Sequence, residues 1–164
     1  MSHDINQRAE KLLKYLCGLK DNRGAMADLR CALTDARRAR AWPWLAAVGG
    51  IENYVIETVA GLFAYHHPEE TAEGNVGTTC RRLSAEHATF DARFRRLLAC
   101  EREELGEHLR PIILAAKAKD IQVNYKQLFI DLTCWSEHVK ARWAKEYWGV
   151  PESADQPVVE DVVS

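Results

Sequence analysis

The chain has 164 residues, of which 47% are hydrophobic and 28% charged, and a formal net charge of −2. That length suits one domain, or one with two small lobes, able to bury roughly 70% of its unfolded surface. No apolar run approaches the ~18 residues of a membrane span, the opening MSHDINQRAEK lacks a signal-peptide core, and the charge balance does not advertise a nucleic-acid binder.

The charge is uneven, however. Residues 151–164 hold four acids and no base, which leaves the body slightly basic, and residues 1–50 carry nine bases against five acids. A basic face is therefore open to the fold. The five cysteines (Cys17, Cys31, Cys80, Cys100, Cys134) are odd in number and form no C-x-x-C pair. They read as reduced thiols in a cytoplasmic protein, each a small core hydrophobe.

Residues 4–19 read as a first helix, with Ala9, Leu12, Leu16 and Leu19 on one side and Asp4 as its cap. Asp21-Asn22 ends it. The next stretch, Arg23–Ala41, reads as a single helix. At about 100° per residue, Arg23, Arg30 and Arg37 then stack on one face, drifting by only about 20° per step. Met26, Leu29 and Leu33 form a separate core-seeking stripe, while Arg38 and Arg40 add charge near the end. Arginine's flat, permanently charged fork suits phosphate oxygens, so the row is a candidate backbone-binding rail. The plainer alternative is a solvated helix face. Trp42-Pro43-Trp44 should stop this helix, its indoles wedged between helices rather than stacked on bases.

A third helix runs from Ile51 to His67, and Pro68 stops it. Residues 68–77 form an acidic, glycine-containing loop. A short helix from Thr78 carries Arg81 and Arg82, and Ser84 is placed to cap the next. That one turns Phe90, Phe94 and Leu97 inward and leaves Arg93 and Arg96 outward. A further helix opens on Glu101, Glu103 and Glu104, with Pro111 kinking or restarting it. The last, from the Asn124 cap to Tyr147, shows apolar residues every three or four positions, with Lys140, Arg142 and Lys145 off the stripe. Residues 151–164 read as an acidic, disordered tail. No strand pattern or repeat appears. The expected fold is all-α, a compact bundle of about seven or eight helices over residues 1–150.

Catalytic patterns are thin. There is no H-E-x-x-H, no phosphate-cradling glycine loop and no nucleophile elbow. Adjacent His66 and His67 point about 100° apart on a helix, so they do not share a metal. No metal or cofactor is expected, nor catalysis. What remains is a set of basic residues offset from apolar stripes: Arg23, Arg30, Arg37, Arg81, Arg82, Arg93, Arg96, Arg110, Lys140 and Arg142. Gathered on one side, they would neutralise phosphates without reading bases, giving salt-dependent, sequence-independent affinity.

Several segments in this order resemble the CasB family, the small subunit of the type I-E CRISPR surveillance complex Cascade. They are R-G-A-M-A-D-L-R at Arg23–Arg30, the A-Y-H-H-P run ending at Pro68, and N-V-G-T-T-C-R-R-L at Asn75–Leu83. F-R-R-L-L at Phe94–Leu98, H-L-R-P-I-I at His108–Ile113, V-N-Y-K-Q-L-F-I-D-L at Val123–Leu132 and R-W-A-K-E-Y-W at Arg142–Trp148 complete the set. The resemblance implies a non-enzymatic helical protein, two copies of which lie head to tail in the complex. They brace the backbone and large subunits and contact guide RNA, target DNA and the displaced strand. It assigns Arg23 and Arg30 to the family's first basic motif, and Arg93, Arg96, Arg110 and Arg142 to later ones. The chain departs from the pattern at Met26 and Val76, where leucine is usual, and at Cys31, where a second arginine is common. The last change puts that helix's contact in question, with Arg37 and Arg38 as substitutes. A helical adaptor that binds only protein is the alternative reading, and a thiol or metal enzyme a distant third.

Overall fold

The computed structural model describes residues 2–68, 72–85 and 87–149. The expected acidic tail lies outside the described residues. Among those described there are nine α-helices and no strand, and the all-α expectation holds. No helix among them is long and apolar enough to cross a membrane.

The centre is α4 (Tyr54–His66), in which 11 of 13 residues are buried. An amphipathic surface helix shows one apolar stripe; this one is apolar almost all round, so it must be wrapped by others. Around it pack α1 (Ser2–Leu19), α2 (Arg23–Arg30), α7 (Leu105–Ala118) and α8 (Tyr125–Thr133). A second group joins α5 (Val76–Ser84), α6 (Phe90–Ala99) and α9 (Glu137–Trp148), with α5 lying along α9. That approach is close because Gly77 has no side chain; a Cβ there would collide with the Trp143 carbonyl oxygen. One hydrophobic cluster runs through both groups, from Leu12 and Leu16 to Phe94 and Trp143.

Asparagine starts four of these helices. Asn22, Asn53, Asn75 and Asn124 each accept a hydrogen bond from a backbone N–H in the first turn, satisfying a donor the helix cannot. Ser84 does not play this part. Its hydroxyl donates to the Arg81 carbonyl, and α6 begins at Phe90.

Two stretches expected as single helices are broken. The α-helix begun at Arg23 ends at Arg30, giving way to a 3-10 turn at Cys31–Leu33 and then to extended Thr34 (φ −119°, ψ 118°). A second 3-10 turn (Arg38–Ala41) leads into α3 (Trp42–Leu45), where Pro43 lies at the helix start rather than the end of its predecessor. Proline is tolerated there because the first N–H groups have no intrahelical partner. Trp42 and Trp44 are half-buried and donate to Glu57 and Asp28, at 2.8 and 3.0 Å. The final helix also breaks, between Thr133 and Glu137. Ser136 is extended and caps α9 by accepting from the Val139 N–H. In contrast, α7 continues through Pro111, whose exposed ring deprives only the solvent-facing Glu107 carbonyl of a donor.

Candidate nucleic-acid interface

Two of the expected cations meet. Arg30, in the last turn of α2, donates from Nε to the Ala64 carbonyl at 3.3 Å, and its guanidinium lies 5.9 Å from the ring centre of Tyr65. Arg110, from α7, stands 4.8 Å from the same ring. Half-buried Tyr65 thus gathers two guanidinium groups from different helices, held by the negative face of its π-system. Beside Arg30 a groove of about 450 Å³ takes in His67 and Lys117. Lys117 follows Arg110 by seven residues on α7, hence on nearly the same face. Asp120 closes this groove, and on the other flank of Arg110 a larger one of about 860 Å³ holds Arg38 with Glu57, Glu103 and Glu107. The basic stretch is therefore bounded by carboxylates at both ends.

Arg23 and Arg30 share α2, so their stacking survives. Arg37 does not join them: it lies beyond the extended Thr34, exposed and off the helical row. Arg38 is drawn inward, 3.7 Å from buried Glu57, and Arg40 pairs with Asp28 at 3.1 Å. Arg81 and Arg82 are exposed at the end of α5. Arg93 and Arg96 are exposed on α6, Arg93 lying 5.7 Å from the Phe90 ring centre. These four belong to the second helical group rather than to the Tyr65 cluster.

Lys140 and Arg142 are committed to structure. Lys140 lies 5.5 Å from the Trp135 ring centre and 3.3 Å from Glu137. Arg142 approaches Asp131 at 3.7 Å. Asp131 is 1% exposed and accepts from Trp143 Nε1 at 2.7 Å and Gln127 Nε2 at 2.9 Å. Burial raises its pKa, against the pull of those donors and of Arg142.

The histidine pair is structural too. His66 is buried, with Nδ1 2.9 Å from the Tyr125 hydroxyl and Nε2 3.2 Å from the Ile121 carbonyl oxygen. Burial holds its pKa below the ordinary value. His67 adopts a left-handed conformation (φ 51°) that ends α4, and its Nε2 bonds the Lys20 carbonyl at 2.8 Å. All five cysteines are free, and burial pushes the Cys100 thiol up to about 11.

The family described as CRISPR-associated protein Cse2 matches residues 25–148. The chain belongs to the Cse2 family. A Cse2 protein of Thermus thermophilus is 30% identical over 105 residues, 60% of this chain, and the match spans 58% of that relative's length. The crystal structure of a Cse2-family protein from Thermus thermophilus superposes with a TM-score of 0.74 at 24% identity, covering 87% of this chain and 98% of the other. A chain of a CRISPR RNA-guided surveillance complex gives 0.73 at 19% identity, covering 98% and 99%. At those identities the likeness is one of fold.

The crystal structure of CasB from Thermus thermophilus superposes likewise, with a TM-score of 0.72 at 24% identity, covering 87% of this chain and 98% of the other. The resemblance to CasB, read over about residues 20–148, is borne out, and every quoted segment except the first two residues of R-G-A-M-A-D-L-R falls within the matched span. Sequence reasoning missed Tyr65 and Lys117. Lys117 could have been found from its seven-residue spacing to Arg110. Tyr65 could not, since its neighbours across the fold come from α2 and α7.

Proposed function

We propose that this chain is a non-catalytic small subunit of an RNA-guided antiviral surveillance complex, acting in the cytoplasm. It holds nucleic-acid backbone without reading bases, supporting the guide RNA–target DNA heteroduplex and the displaced strand, and it braces the backbone and large subunits. Two copies work head to tail, each a single helical domain over residues 1–150. In such complexes base pairing reads sequence and protein holds the backbone, so phosphate contacts suffice.

The observation that carries this reading is the pairing of Arg30 and Arg110 at Tyr65, with Lys117 next to them, in a chain of the Cse2 family. Arg23, Arg81, Arg82, Arg93 and Arg96 are exposed and extend the supply of cations. Arg37 is exposed as well, whereas Lys140 and Arg142 have carboxylates within 4 Å and contribute less. The carboxylates at both ends of the basic stretch favour weak binding by the free chain, strengthened by partners already on the nucleic acid. They also give the adaptor reading its support.

The test is co-purification. A tagged chain co-expressed with the other subunits and a guide RNA should recover both, and Arg30→Ala with Arg110→Ala should lower recovery of nucleic acid. Recovery of subunits alone, with RNA content unaffected by the double variant, would favour a protein-only adaptor.

A further inference from the structure

Outside the basic stretch, metal-ligating side chains come together at the turn joining α6 to α7. Cys100 closes α6, Glu104 ends the 3-10 turn that follows, and His108 stands in the first turn of α7. They are spaced by four residues each, and one donor atom from each lies within 4.8 Å of the other two. A tetrahedral ion with bonds of about 2.0–2.3 Å holds its ligands roughly 3.5 Å apart, so a modest side-chain movement closes the set. Cys100 is buried and in no disulfide, His108 is half-buried and Glu104 is exposed, which puts sulfur on the inner side and oxygen on the outer.

The Cys100 thiol donates to the Leu97 carbonyl at 3.2 Å, a bond the metal would replace, and the charges acting on it are the Glu104 and Glu101 carboxylates and the Lys140 ammonium. The Glu101 N–H donates to Glu104 Oε1 at 3.2 Å, steadying that carboxylate as an outer-shell partner would. Arg102, the cation of the turn, reaches elsewhere, to Glu103 at 3.7 Å and the Thr133 carbonyl at 3.4 Å.

We propose that Cys100, Glu104 and His108 form a zinc site that pins α6 to α7. A thiolate, a carboxylate and a neutral imidazole together balance the 2+ charge, and a sulfur, nitrogen and oxygen set selects zinc over magnesium or calcium. On binding, the sulfur–metal bond replaces the thiol S–H and the proton passes to solvent. Water completes the fourth position on the Glu104 side. None of the three ligands belongs to the basic stretch, so the site stands or falls independently of nucleic-acid binding. The sequence reading missed it because it weighed histidines in pairs on single helices, and these ligands span two helices and a turn.

Cobalt(II), a spectroscopic stand-in for zinc, tests this on the chelator-treated full chain. The expected result is one equivalent bound, with a thiolate-to-cobalt charge-transfer band and tetrahedral visible bands that zinc bleaches, and a melting temperature raised by zinc. Cys100→Ser should lose the charge-transfer band. His108→Gln and Glu104→Gln should bind about tenfold more weakly or worse, on the scale that even outer-shell losses reach. These last two alter partly or fully exposed residues, and circular dichroism checks their folding, so they decide the matter if Cys100→Ser does not fold. No thiolate band in the parent chain, or affinity unchanged in both His108→Gln and Glu104→Gln, would overturn the site.

Discussion

His66 shows how a single buried side chain ties this fold to pH. Both ring nitrogens have partners in Tyr125 and Ile121, and burial, the largest cause, lowers its pKa, with the Lys117 charge adding to the effect. The unfolded chain therefore takes up the proton before the folded one does. Stability from this group is present above its ordinary value of 6.5 and is lost as pH falls through that value toward the depressed one. Melting temperature should accordingly hold level above 6.5 and fall as the pH drops below that value. His66→Gln should flatten that slope, and parallel curves for the two proteins would refute the assignment. Asp131, with its raised pKa, acts in the opposite direction, and the difference between His66→Gln and its parent removes that contribution.

At the scale of elements, caps and close approaches decide what periodicity cannot. Apolar spacing from Tyr125 to Tyr147 fits one helix, yet Ser136 caps a new one and Cys134 ends the old. The pattern carries through the break because Trp135 and Trp143 still pack together, with ring centres 4.9 Å apart. Ser136→Ala should lower stability by about 0.5–1 kcal/mol, read from the urea midpoint. The arginine row failed for a similar reason. Thr34-Asp35 offers the backbone local alternatives to helix, and extended Thr34 separates Arg37 from Arg30. Gly77 is a sharper case, since its missing Cβ is what lets α5 meet the backbone of α9. Gly77→Ala should destabilise by about 1–3 kcal/mol, the range of overpacked cores, and a melting curve unmoved by it would contradict that packing.

Across the whole molecule, the helical class and the core were legible because apolar residues recur at helical spacing in segment after segment, with no alternating strand pattern between them. Phe90, Phe94 and Leu97, read as inward-facing, are all buried. The grouping of cations was not legible. Arg30 and Arg110 are eighty residues apart in the chain, and only the packing of α2 and α7 on α4 brings them to Tyr65. Nor could spacing show that Lys140 and Arg142 would be taken up by Trp135, Glu137 and Asp131.

Whether the cations gathered at Tyr65 hold phosphates is read from affinity for a single-stranded oligonucleotide across a range of salt. Log affinity should fall linearly with log salt, by about 0.7 for each phosphate neutralised, and Arg30→Ala and Arg110→Ala should each make that slope shallower. Binding indifferent to salt, or a slope unchanged in both variants, would contradict phosphate binding by these cations.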